Sequence, residues 1–160
     1  MITAQHLDAL KEILTRLEDC PHSWVITGSL GMALQGVPVE VNDIDIQTDK
    51  EGAYEIERRL LENVKQPVRY SAAERIRSHL GVLEFDGIKV EIMGAVQKRL
   101  DDQRWEDPVE VERYQHWIEI DGLRIPVLRL EYEQQAYLRM GRVEKAEMLR
   151  EWLLHHGGNG

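Results

Sequence analysis

The stretch Trp24–Asp49, WVITGSLGMALQGVPVEVNDIDIQTD, constrains the fold more than any other part of the chain. An apolar run ends in Gly28-Ser29, a short helical segment follows, and two aspartates then stand one residue apart among β-branched neighbours. Side chains of a strand alternate faces, so Asp43 and Asp45 share one side while Ile44 and Ile46 take the other. Two carboxylates roughly 6.5–7 Å apart along one strand face repel each other unless a cation lies between them. The segment therefore reads as a strand, a glycine turn into a helix, and a second strand carrying an acidic pair. Gly28 allows backbone to approach a phosphate closely, and Ser29 with the start of the following helix supplies donors.

The remaining periodicities place elements around this unit. Leu7, Leu10, Leu14 and Leu17 recur at helical spacing behind a Thr3 cap and ahead of Pro21, which predicts an amphipathic helix over 4–19. The helix after Gly28 ends near Gly36, and Val41–Thr48 alternates as a strand with one solvated face. Asp49 caps a helix running to about Val64, with Tyr54, Ile56, Leu60 and Leu61 as core candidates. Residues from Pro67 to Ser78 read as a polar, arginine-containing connection. Asp-Gly dipeptides between alternating runs predict two hairpins, Leu80–Phe85 with Ile88–Met93 and Trp117–Ile120 with Leu123–Val127. Two helices, separated near Gly141, fill Arg129–Leu154, and the tail HHGGNG reads as frayed. The sum is α+β: a mixed sheet flanked by helices, with C-terminal helices. A core over 1–128 and a helical extension over 129–160, packed as one domain, fit the 160-residue length.

Composition excludes several functions. The net charge of −9 opposes general binding to a nucleic-acid backbone. No apolar run has membrane-spanning length, and Cys20 as the only cysteine rules out an intramolecular disulfide, so a cytoplasmic setting is the simplest. A basic middle (Arg58, Arg59, Lys65, Arg69, Arg75, Arg77, His79) is followed by an acidic stretch (Glu106, Asp107, Glu110, Glu112, Glu119, Asp121). That acidic stretch reads as solvated surface, with the steering of a cationic acceptor as the sharper alternative.

Glu91, in the strand-like run IKVEIMG, opposes the core-facing Val90 and Ile92. If its strand adjoins that of Asp43 and Asp45, three carboxylates converge, and oxygen-only ligands suit Mg²⁺ or Mn²⁺ better than zinc. Arg77 stands just before the first hairpin, where it either contacts a triphosphate or sits as a surface arginine. Lys145 reads as an exposed helix lysine unless the C-terminal helices fold over the cleft. Trp105 or Trp117 would line an acceptor pocket if either does more than pack.

The runs GSLGMALQG, NDIDI and KVEIM together resemble the DNA polymerase beta superfamily of nucleotidyltransferases, nearest in size and layout to the small bacterial members that adenylylate aminoglycosides or lincosamides. The resemblance covers residues 24–94, with a weaker echo in RIPVLRLEYEQQAYLRMGRVEKAE. It implies a nucleotidyltransferase-like fold and a catalytic, metal-binding trio of Asp43, Asp45 and Glu91. It further implies a nucleotide cradle of Gly28 and Ser29 (with Arg77 as a further candidate) and transfer of a nucleotidyl group, AMP if the donor is ATP, to a hydroxyl of a small molecule. The third carboxylate is more often Asp in that superfamily. Glu91 reaches one methylene further, as a ligand or as general base. Two rival readings stay open: a minimal nucleotidyltransferase that serves as antitoxin beside a helical toxin, and an inactive nucleotide-binding domain. A homodimer is equally open.

Overall fold

A computed structural model describes residues 1–156. Helix α1 (Ala4–Arg16) begins at a reciprocal cap, in which the Thr3 hydroxyl accepts from the His6 amide at 3.1 Å and the His6 ring accepts from the Thr3 amide at 3.3 Å. With Nδ1 accepting, His6 Nε2 carries the proton and reaches the carbonyl oxygen of Asn42 at 2.8 Å. That bond ties α1 to the residue preceding Asp43. The helix stops three residues before the expected Asp19, where Glu18 and Asp19 would oppose the negative end of its dipole.

Strand β1 (Trp24–Thr27) runs directly into α2 (Gly28–Leu34). Strand β2 (Ile44–Thr48) alternates buried Ile44, Ile46 and Thr48 with half-buried Asp45 and Gln47. It starts three residues later than the sequence suggested, so Asp43 occupies a bend at its entrance rather than the strand itself. Helix α3 (Lys50–Arg59) is capped by Asp49, whose carboxylate accepts from Gly52 N at 2.6 Å, and it ends well before Val64. Ile56 and Leu60 are buried, but Tyr54 and Leu61 are exposed. Tyr54 turns its hydroxyl to the His79 ring, and Leu61 begins a short 3-10 turn outside the helix.

The largest departure from expectation is the segment read as a polar connection. It forms β3 (Val64–Ala72) and the beginning of β4 (Ile76–Phe85), paired antiparallel. Two causes hid it. Pro67 lies where the register shifts between Gln66 and Arg69, a place a sheet tolerates proline only on an edge, and most β3 side chains face solvent. Both Asp-Gly hairpins form, joining β4 to β5 (Ile88–Lys98) and β6 (Gln115–Ile120) to β7 (Leu123–Leu128). Asp86 and Gly87 have φ of 48° and 84°, as a primed two-residue turn requires. The C-terminal pair is α4 (Leu130–Arg139) and α5 (Val143–His156); His155 and His156, expected in a frayed tail, complete α5, and the rest of that tail lies outside the described residues.

The seven strands form one mixed sheet in the order β3-β4-β5-β2-β1-β7-β6, with β2/β5 and β1/β7 parallel. Ile26, Ile44, Ile46 and Ile92 face Leu10, Ile13 and Ile56 in one core, against α1 and α3. On the opposite face Val25, Val96 and Leu128 pack with Tyr132 of α4. A third cluster, Met32 and Val37 against Leu130, Tyr137, Ala146 and Leu149, seats the C-terminal helices on α2.

Ile46 is fully buried in the central core, so Ile46→Ala should lower unfolding free energy by about 2–5 kcal/mol. Denaturant melts read this directly, and a loss under about 0.5 kcal/mol would mean that this packing is misplaced.

Candidate active site

Gly28 adopts φ +68° to turn β1 into α2, and a Cβ there would lie 2.4 Å from Asp45 Oδ2. Only glycine fits, on both conformational and steric grounds. The neighbouring Ser29 hydroxyl accepts from the Asn42 amide at 3.3 Å, which leaves its own proton free to point into the cleft.

Register places the acidic residues. Thr27 pairs with Asp45, and Asp45 with Glu91, across β1, β2 and β5. In-register neighbours on adjacent strands share a face, about 5 Å apart. Asp45 and Glu91 therefore stand side by side on the face opposite the isoleucines, and Asp43 enters from the preceding bend. Lys89 joins them: its ammonium lies 3.2 Å from Glu91 Oε1 and 4.0 Å from Asp43 Oδ2.

Crowding shows in the charges. Burial raises the Asp45 carboxyl, with repulsion from Glu91 and Asp43 adding to it, to about 6, against a smaller opposite pull from Lys89 and Lys145. Lys89 is shifted up by its hydrogen bond and charge contact with Glu91. Among the described residues no three acidic, histidine or cysteine side chains close tightly enough to hold an ion as they stand. The three carboxylates expected to grip one ion share one patch, with Lys89 between two of them. The patch still fits a hard divalent cation. Its donors are all oxygen, and a cation would offset both the burial that raises the Asp45 carboxyl and the smaller repulsion from Glu91 and Asp43.

A cleft of about 440 Å³ opens beside this patch, bounded by Gly28, Ser29, Asp43 and Asp45 on one side and by Tyr137 and Lys145 on the other. Arg142 also lines it. Both cations lie over the Tyr137 ring, Arg142 at 5.5 Å and Lys145 at 5.4 Å from its centroid. Burial and the nearby Arg142 hold the Lys145 ammonium below its ordinary value. Lys145 keeps the solvent exposure expected of it, yet it faces the acidic patch. Only the packing of the C-terminal helices on α2 brings it there, and sequence spacing does not encode that packing.

A further residue escaped the sequence reading. Glu133 of α4 is buried at 6% exposure. Its two carboxylate oxygens lie 2.9 and 2.8 Å from the Thr27 hydroxyl, and one accepts from Gly28 N at 3.2 Å. Burial pushes it up to about 7 despite those bonds. The available signal was the helical stripe Leu130, Glu133, Tyr137, which places a glutamate on the buried face.

Other candidates lie elsewhere. Arg77 pairs in register with Gln97, six positions beyond Glu91 on β5 and so roughly 20 Å from it. It donates to Gln97 Oε1 at 3.0 Å and stacks 4.3 Å from the Trp105 ring centroid, because the segment around it is strand rather than loop. Neither Arg77 nor Trp105 lines the cleft. Trp117 stacks with Arg124 in a separate cleft beside Trp24, at the opposite end of β1 from Gly28. Within the acidic stretch, Glu106 neutralises buried Lys98 at 3.1 Å and Arg139 at 3.2 Å rather than facing solvent alone.

The sequence profile of the aminoglycoside-2″-adenylyltransferase family matches residues 9–151. No curated protein matches the chain. Among solved structures, a Thermotoga maritima protein provisionally assigned as a nucleotidyltransferase is 59% identical, covering 98% of this chain and 97% of its own, with a TM-score of 0.85. ANT(2″)-Ia in complex with adenylyl-2″-tobramycin is 15% identical over 92% and 88% of the two chains at a TM-score of 0.59. The lincomycin-bound lincosamide adenylyltransferase LnuA is 12% identical over 84% and 85% at 0.53, and both of these last two share the fold.

The raised Asp45 value gives a signed prediction. A carboxyl elevated in the folded state destabilises it as pH rises from the unfolded value towards 6, and the penalty is complete above 6. Asp45→Asn should therefore stabilise the metal-free protein by about 1–2 kcal/mol at pH 7.5, after discounting for solvent at the cleft mouth. The gain should fade below about pH 4. Melting curves across that range test it, and a variant less stable than wild type at pH 7.5 would contradict the crowding described.

Proposed function

The chain belongs to the aminoglycoside-2″-adenylyltransferase family and is a nucleotidyltransferase; from that premise we propose that it moves AMP from ATP to a hydroxyl of an aminoglycoside-type small molecule, with Mg²⁺ at the acidic patch. The observation that carries this reading is that Asp43 and Asp45 line a cleft whose far wall carries Arg142 and Lys145, with Glu91 beside Asp45 in register on the adjoining parallel strand and outside the cleft lining. A cleft with carboxylates on one wall and cations on the other suits a metal-bound polyphosphate.

Asp43 and Asp45 would hold the ion, with Glu91 at its margin. When bound, magnesium would draw charge from the α-phosphate and the departing pyrophosphate. The Gly28 turn and the Ser29 hydroxyl receive the β and γ phosphates, and Lys145 and Arg142 supply positive charge across the cleft. Glu91 takes the proton of the acceptor hydroxyl as its oxygen bonds to the α-phosphorus, while the bond from that phosphorus to the bridging oxygen breaks and pyrophosphate leaves. A core over 1–128 bearing Asp43, Asp45 and Glu91, with a helical extension over 129–160 that bears Arg142 and Lys145 and packs on it as one domain, suits this reading. The presence of Asp43, Asp45 and Glu91 together in one patch argues against an inactive nucleotide-binding domain.

Incubation with α-labelled ATP, Mg²⁺ and a panel of aminoglycosides and lincosamides, followed by pyrophosphate release and label transfer, tests the activity. Asp45→Asn should lower turnover by at least about 10³-fold. Lys145→Met should raise KM for ATP roughly tenfold with a smaller change in kcat. Turnover in Asp45→Asn equal to wild type would remove the assignment.

A further inference from the structure

Glu133 presents a problem that stability does not answer. A carboxylate buried at 6% exposure carries a desolvation penalty. Asp45 repels it, and Lys98 offsets that only in part. A glutamine in the same space would accept from Gly28 N–H and could donate its amide proton to the Thr27 oxygen without charge. What the carboxylate does hold is specific. It takes hydrogen bonds from Thr27 and Gly28, the two residues at which β1 becomes the left-handed turn against Asp45. Thr27 is itself the register partner of Asp45.

The same side chain also fixes the other wall of the cleft. Tyr137 is four residues beyond Glu133 on α4 and lies on the same buried face. Its ring sits beneath Arg142 and Lys145. The remaining contacts of this wall, Met32 and Val37 with Leu130, Ala146 and Leu149, are apolar and non-directional. Arg139 to Glu106 and Lys98 to the Tyr132 hydroxyl bond α4 elsewhere in the fold, and Glu133 supplies its directional bonds to the turn itself.

We propose that Glu133 is a positioning residue for the nucleoside triphosphate: its hydrogen bonds to Thr27 and Gly28 fix the glycine turn and, through α4, hold the Arg142–Lys145 wall at a set height above it. This rests on the reading of the cleft as a nucleotide site. The hydrogen bonds, rather than the charge, are the working part. Thr27→Val removes one donor while leaving Glu133 in place, and Glu133→Met keeps the volume but removes both acceptors.

The test is calorimetric titration of the α,β-methylene analogue of ATP, with Mg²⁺, into the full-length protein. Glu133→Met and Thr27→Val should each weaken binding about tenfold, and the double variant should be no weaker than the poorer single by more than about threefold, since both remove one shared arrangement. Glu133→Gln should bind within about threefold of wild type, the rescue that a hydrogen-bonding role requires. Melting curves separate this from loss of fold: a merely structural residue would lower the melting temperature without moving affinity measured well below it. If Glu133→Met does not fold, Thr27→Val alone decides, and wild-type affinity in it overturns the proposal. Weakening in Glu133→Gln equal to that in Glu133→Met overturns it as well. Failure of wild type itself to bind the analogue removes the nucleotide reading and this inference with it.

Discussion

Like charges held together at the C-terminal end of β1 are the constraint on which this structure turns. Strand register puts Thr27, Asp45 and Glu91 in one row, the Asp43 bend and Lys89 complete the patch, and Glu133 approaches from α4. No apolar core needs this arrangement. The opposite face of the same strands, built on Ile26, Ile44, Ile46 and Ile92, supplies the burial that keeps the row in place. One face secures the register and the other uses it.

Alternation along a strand is what couples the two faces. A one-residue slip of β2 would exchange Asp45 with Ile44 or Ile46, exposing the core and burying the acid. The identity of residue 28 adds a steric lock, since any side chain there would strike Asp45 Oδ2. The carboxylate patch is therefore as strongly specified by packing as any core residue, although it contributes nothing favourable to packing itself.

Much of this was legible in the chain because it depends on local pattern. The Gly28-Ser29 turn, the outward phase of Asp45 and Glu91 and both Asp-Gly hairpins follow from periods of two and from turn chemistry, whereas Asp43 sits in the bend ahead of β2. The α+β class, with a mixed sheet and C-terminal helices, follows from the order of those elements. What could not be read depends on tertiary return. The edge strand β3 was masked by Pro67 and its solvated side chains, and with it went the position of Arg77. Lys145 and Glu133 gain their significance only when α4 and α5 fold back across α2, and Lys89 only when its rotamer is seen between Asp43 and Glu91.

The proposed function requires the acidic row and the cationic wall to form a single site for a metal-bound triphosphate. Electron paramagnetic resonance of Mn²⁺ titrated with a non-hydrolysable ATP analogue measures this without any acceptor. Wild type should quench the free-ion signal beyond what analogue alone does, and Asp45→Asn should not. Equal quenching by the two proteins would contradict it.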